Sequence, residues 1–346
     1  MMLPLLIACP APSNDTGQPD TGAPDADDTG FPDLPRDTGL TELSASIEGQ
    51  PGDGAGELAR FDGLWVAAPQ RDLGRGAVCR VDEGAMSELC WSGRHAEAYA
   101  GSALRATDEG LAIGSFWDGA GAGAVFLVAT EGGDLDDASV LFTGTSGSYA
   151  GISLGYGDVD DDGIGELAIG AFAANTSATD AGVVWLVEAS ESGGLANQAG
   201  IYATTDNAWL GIDVDLGDVD GDGVADLLAG AMGEDDSAGA AYLFLGPLDG
   251  IVPVGDADAR LAGTASWTQG GKQVALGDLD GDGRQDLAVA APDGDLVSLI
   301  RGPAWSGSLG DAEGSVTGLE GSRLGFSLEL SDLEGDGRAD LLLGAS

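Results

Sequence analysis

Basic residues are scarce in this chain. Thirteen of its 346 residues are Lys or Arg against 59 Asp or Glu, and Lys272 and His95 are its only lysine and its only histidine. The formal net charge of −46 repels nucleic acid and anionic lipid, whose phosphates a binding protein must neutralise. A single histidine also narrows the catalytic options. A Ser-His-Asp triad would have to use His95, in the loop-like segment Ser92-Gly93-Arg94-His95-Ala96. The plainer reading is an inert surface residue. Paired carboxylates could serve glycoside hydrolysis, but the acidic residues are mostly committed to turns described below. Neither a zinc-ligand set nor a phosphate-binding loop occurs. No apolar run approaches the ~18 residues of a membrane-spanning helix. Apolar residues nevertheless make up 43% of the chain, enough to build a core and to exclude wholesale disorder.

Cysteine is also sparse, with only Cys9, Cys79 and Cys90. Cys9 closes Leu6-Ile7-Ala8-Cys9 after an apolar start, which resembles the lipobox of bacterial lipoproteins, where the cysteine is acylated. A basic n-region is missing and the apolar run is short, so a chance match stands beside the lipoprotein reading. Cys79 and Cys90 are close enough to span a hairpin. They read either as a disulfide in an oxidising compartment or as two independent small apolar residues.

What is abundant is glycine, 60 residues without a G-X-Y period, which suits many short strands joined by tight turns. Residues 1–9 read as a lipoprotein-like signal remnant. Residues 10–40 are Pro, Asp, Gly and Thr with almost nothing to bury, and read as a disordered linker. Asp-Thr-Gly occurs four times there, from Asp15, Asp20, Asp28 and Asp37. The same triplet surrounds an aspartic-protease carboxylate, but that chemistry needs two loops held rigidly face to face, which a tether cannot provide.

From residue 41 to 346 the chain repeats. Small apolar segments begin at Leu64, Leu111, Leu167, Leu227, Leu287 and Leu341, at offsets of 47, 56, 60, 60 and 54 residues. Units of that size fit one four-stranded propeller blade each. In the fourth unit Leu210, Ile212, Val214 and Leu216 alternate with period two, an acidic turn follows, and Leu227–Met232, Ala240–Leu245 and Ala259–Ala262 supply three more strands. The expected fold is an all-β β-propeller of four-stranded blades with six repeats visible. The sixth is incomplete, because Ser346 follows its second strand. Ser44–Glu48 is a candidate outer strand, and the chain reads as truncated at its C-terminus. The tryptophans Trp65, Trp91, Trp117, Trp185, Trp209, Trp267 and Trp305 read as packing or rim residues rather than a sugar platform.

Four repeats share D-x-D/E-x-D-G-x-x-D/E. The sets are Asp158, Asp160, Asp162, Glu166; Asp218, Asp220, Asp222, Asp226; Asp278, Asp280, Asp282, Asp286; and Asp332, Glu334, Asp336, Asp340. In a tight turn positions one, three and five aim at one point, the glycine at six permits the bend, the carbonyl at seven turns inward, and the carboxylate at nine closes the shell. About six hard oxygens is what Ca²⁺ takes. An EF-hand would need a glutamate at position twelve on a helix; here that position is Ile169, Ala229, Val289 or Leu343 on a strand. The first two repeats lack the motif and are expected to be metal-free.

Leu154-Gly155 through Ile169-Gly170-Ala171, Leu210-Gly211 through Ala229-Gly230-Ala231, and Leu324-Gly325-Phe326 through Leu343-Gly344-Ala345 resemble the FG-GAP repeat of the integrin α-subunit propeller and its bacterial relatives, over about residues 44–346. The resemblance implies calcium on one rim, stiffening the propeller, and partner recognition by other, variable loops. The leading expectation is a non-catalytic, extracytoplasmic surface module that binds a protein or glycan, with no nucleic-acid partner and membrane contact only through a lipid anchor. A calcium-dependent polysaccharide-acting enzyme, or the spacer of a longer protein, are the alternatives.

Overall fold

The computed structural model describes residues 6–8, 41–42, 58–60, 64–82, 85–129, 132–138, 140–303, 306–333 and 335–345. Cys9, the 10–40 segment, Ser44–Glu48, Trp305 and Glu334 lie outside the described residues.

The described residues form six sheets in sequence order, antiparallel apart from short added strands, the blades of a β-propeller. Blade four matches its sequence reading closely, as Leu210–Gly217, Asp226–Ala231, Ala240–Phe244 and Ala259–Ala262. Blade three is built from Leu154–Gly157, Glu166–Ala171, Val183–Glu188 and Ala199–Tyr202. Blade five is built from Gln273–Gly277, Asp286–Ala291, Leu296–Ile300 and Gly314–Thr317. Blade six contains the hairpin Ser327–Ser331 and Asp340–Gly344, onto which Leu6–Ala8 and then Thr41–Glu42 pair. The second strands are buried on both faces, as their small apolar residues require: every residue of Asp226–Ala231 and of Asp286–Ala291 is buried. Between blades three and four, Ala168, Val184 and Ile201 share one core with Leu210, Val214 and Leu227.

One part of the strand reading needs correction. Leu210, Ile212, Val214 and Leu216 do not form one continuous inward face. The pairing slips between Leu210 and Val214, leaving Ile212 only partly buried. Such a bulge adds a residue to one strand and breaks strict alternation. The same slip recurs in blade two, whose first strands are Ala100–Ala106 and Leu111–Ser115, between Ala100 and Leu104.

The outer strands of blades one to four each gain a short parallel partner from the following repeat. Gly133–Asp134 pairs with Ala85–Ser92, Gly193–Gly194 with Val140–Thr143, Ile251–Pro253 with Ala199–Tyr202, and Gly307–Ser308 with Ala259–Ala262. One helical turn follows each of these latches and drives a single apolar side chain inward. Leu135, Leu195, Val254 and Leu309 are each at most 5% exposed. The inner strands are tied across blades by charge. Asp213 and Asp215 of blade four accept the Val274 and Leu276 amides of blade five at 2.8 and 3.0 Å. Arg105 of blade two donates to the Leu154 carbonyl at 3.0 Å and to Asp215 at 3.1 Å.

Cys79 and Cys90 lie directly opposite each other on neighbouring strands of blade one and form a disulfide. This selects one of the two readings left open by the sequence. Closing so short a loop restricts the unfolded chain by about 2–3 kcal/mol in the chain-entropy account. Urea unfolding with and without reductant should show a loss no larger than this, and none in the Cys79→Ala/Cys90→Ala variant. A reductant effect that persists in the variant would assign it elsewhere.

Candidate metal loops and the opposite rim

The acidic motifs connect the first and second strands of blades three to six, so all four stand on the same rim. Their bends are held by their own carboxylates. Asp218 Oδ1 and Oδ2 accept the Gly221 and Gly223 amides at 2.6 and 3.0 Å, and Asp222 Oδ1 accepts Val224 at 2.9 Å. Asp158, Asp278 and Asp332 receive the position-six amide in the same way. Gly163, Gly223, Gly283 and Gly337 have φ between +85° and +93°, which explains the glycine at position six. Position four is left-handed too, as Gly221, Gly281 and Gly335, with Asp161 (φ 64°) in blade three.

Three of these loops gather carboxylates. Asp158, Asp160 and Glu166 present oxygens within 4.8 Å of one another, as do Asp218, Asp220 and Asp222, and Asp278, Asp280 and Asp282. Two unit charges that close repel by about 1 kcal/mol in water and by about 3 at an effective dielectric of 20. A divalent cation turns that cost into attraction, and three hard oxygen donors per loop suit Ca²⁺. In these groups positions one, three and five converge in blades four and five, but one, three and nine converge in blade three.

Position nine behaves differently from the others. Asp226, Asp286 and Asp340 are buried and accept the position-two amides of Val219, Leu279 and Leu333 at 2.7, 2.9 and 3.0 Å. Glu166 does the same with Val159 at 2.9 Å. This residue therefore ties the loop down from below, whether or not it also meets an ion. In blade five Arg284, at position seven, donates to Asp282 Oδ2 at 2.9 Å and places a fixed cation against one member of the set. In blade six Asp332, Asp336 and Asp340 are described, and Glu334 is not. Blade two, expected to be metal-free, has a compact turn instead. The buried Thr107 hydroxyl accepts the Glu109 and Gly110 amides at 3.2 and 3.0 Å.

Burial raises the Glu166 carboxyl to about 7, opposed by the Val159 amide and helped by Asp160, Asp158 and Asp162. Burial raises Asp286 to about 6, opposed by the Gly302 and Leu279 amides. A carboxyl raised on folding holds its proton in the native state after the unfolded chain has lost it. Its stabilisation is present at low pH and is lost as pH climbs. In chelator, stability should therefore fall from about pH 4 to pH 7. Urea midpoints across that window check this, and Glu166→Gln should flatten the upper part of the fall. A midpoint that rises with pH would show that these groups are ionised in the folded chain.

The opposite rim carries a feature the sequence reading passed over. Tyr99 stacks on Phe116 at 5.3 Å between centroids, Trp117 on Tyr149 at 5.1 Å, and Tyr149 on Phe172 at 5.3 Å. These residues lie before the first strand or after the second strand of their blades, at the ends away from the acidic loops. Trp117 is 38% exposed and Trp267 71%, whereas Trp65, Trp91 and Trp185 are core residues. The tryptophans thus divide between packing and rim. His95 is exposed.

Comparison with known proteins falls on these same repeats. The FG-GAP repeat family profile matches residues 210–244 and 270–311, which span blade four's first three strands and most of blade five. The chain therefore carries FG-GAP repeats in this region and is similar there to integrin alpha subunits. Human integrin alpha-IIb is 37% identical over 161 residues, covering 40% of this chain and 15% of that protein. Integrin alpha-4 of Xenopus laevis is 30% identical over 165 residues, covering 45% of this chain and 15% of that protein. Integrin alpha-5 of Xenopus laevis is 26% identical over 217 residues, covering 57% and 20%. The similarity to these FG-GAP relatives is thus confined to a small part of their length. No helix among the described residues is long and apolar enough to cross a membrane.

Proposed function

We propose that this FG-GAP chain is a calcium-stabilised, non-catalytic recognition propeller, with ions bound in the loops of blades three to six and a protein or glycan partner on the aromatic rim. The ligands are the sixteen carboxylates named for the four motifs. The repeated convergence of three carboxylates at one point of the loop carries the calcium reading. The row from Tyr99 to Phe172 supports the location of the partner. Stacked, partly exposed rings offer large apolar contact at low entropic cost.

The Cys79–Cys90 disulfide favours an extracytoplasmic setting. Calcium is near millimolar outside cells, so weak sites suffice there. Surface anchoring through Cys9 rests on the Leu6–Cys9 segment alone and would remove the Leu6–Ala8 strand that pairs with blade six; intact-mass analysis of the membrane fraction tests it.

The recognition reading is tested by presenting the calcium-loaded chain to arrays of surface glycans and matrix proteins, beside Trp117→Ala and Tyr149→Ala. Binding that both substitutions abolish, with unfolding midpoints unchanged, is the expected result. Release of new sugar ends from polysaccharide in calcium would replace the proposal with the enzymatic alternative.

A further inference from the structure

Blade three departs from its neighbours at three places that face one another. The first is the free oxygen of its position-nine residue. Asp226 Oδ1 accepts the Gly246 amide at 2.8 Å, and Asp286 Oδ1 accepts Gly302 at 3.1 Å. Glu166 Oε1 has no partner, although Glu166 is only 5% exposed. The equivalent amide in blade three, that of Ala189, donates to the Gly165 carbonyl instead. A buried polar oxygen left unsatisfied is costly, and native structures rarely retain one without a ligand.

The second departure is the residue across the sheet. Glu166 pairs directly with Glu188. One step beyond the Leu227–Phe244 pair of blade four, Asp226 meets Leu245. One step beyond the Leu287–Ile300 pair of blade five, Asp286 meets Arg301. Like charges directly opposite destabilise an antiparallel pair. Only blade three of these sets two carboxylates face to face.

The third departure comes from the next blade. The Leu248 amide donates to the Val159 carbonyl at 2.6 Å, which folds the 246–250 segment of blade four against the blade-three loop. Asp249 there lines the same cavity as Asp160. Between these groups is a cleft of about 160 Å³ lined by Asp160, Glu166, Glu188, Glu191, Asp249 and Gln198. That is several water volumes at ~30 Å³ each, room for an ion and its remaining waters. Five carboxylates without a basic residue reject anions. Their hard oxygens select a divalent cation of the calcium type.

The geometry points to a second cation site in this cleft, taking Ca²⁺ through Glu166, Glu188 and Asp249 and bridging blades three and four. It rests on the loop reading in sharing Glu166, but Glu188, Glu191 and Asp249 lie outside the nine-residue motif. Asp226 and Asp286 have spent the corresponding oxygen on a backbone amide, so the extra ion belongs to blade three.

Calcium titration of the full chain by calorimetry and equilibrium dialysis tests this. Glu188→Gln/Asp249→Asn should lower the stoichiometry by one ion per chain and leave the others in place. Asp218→Asn should remove a different ion. Glu191→Gln, at an exposed position, should weaken one site several-fold without altering the fold, as judged by circular dichroism in chelator. Unchanged stoichiometry and affinity in both cleft variants, with ions still lost from the Asp218 and Asp278 variants, overturns the cleft site and leaves the loops standing. That result would mean water, or a proton shared by Glu166 and Glu188, fills the space. A native chain that binds no calcium overturns both.

Discussion

Millimolar calcium is expected to raise the unfolding midpoint of this chain by roughly 4–24 °C over chelator. Binding to the native state alone stabilises it by RT ln(1 + [L]/Kd). Extracellular calcium modules have dissociation constants of roughly 0.1–1 mM, so each site contributes about 0.4–1.4 kcal/mol at 1 mM. Four loops then supply about 2–6 kcal/mol, and each kcal/mol moves the midpoint of a large domain by about 2–4 °C. Asp218→Ala and Asp278→Ala together should remove about half of the rise, because each supplies the position-one carboxylate that also holds the Gly223 or Gly283 amide. Differential scanning calorimetry with calcium, magnesium and chelator measures it. An identical midpoint in all three would remove the metal from the account and leave the loops as solvated acidic turns.

The second large effect separates two kinds of carboxylate within one loop. In chelator, Asp226→Ala should cost about 2–6 kcal/mol. It strands the Val219 and Gly246 amides in the interior, at about 1–3 kcal/mol each. Asp222→Ala in chelator should be near neutral, since it loses only the Val224 contact and relieves repulsion from Asp218 and Asp220. With calcium present both variants should lose stability. Urea unfolding in both conditions resolves the four values. Equal losses for the two variants in chelator would show that position nine is only another ligand and not the pin that fastens the loop.

The difference between these residues is also the boundary of what the sequence could show. Spacing alone marked positions one, three, five and nine as equivalent oxygen donors. It could not show that Asp226 faces inward to the backbone of another turn, because Gly246 is 20 residues away. The blade repeat itself was legible because small apolar second strands recur at nearly constant offsets and the four acidic turns announce the hairpins between them. The latches were not legible. Gly193–Gly194 and Gly307–Ser308 are two residues each with no alternation to read. The recurring inward leucine beside them was a usable signal that went unread. Arg105 bonding Asp215 spans 110 residues and leaves no local trace. The aromatic rim was missed for a different reason. Its rings sit at matching places in successive repeats but differ in type, so they look unrelated until the strands bring them together.

The parallel latches also give the molecule a direction. The outer strand of each of the first four blades is covered by a segment of the blade that follows it, never by the one before. A pull or a protease acting on blade five removes Gly307–Ser308 from blade four and bares that strand. Blade four then surrenders its hold on blade three. Damage entering from blade one uncovers no outer strand in this way. Stripping from the later blades should therefore run through the blades in sequence, like a row of overlapping shingles lifted from the last one laid.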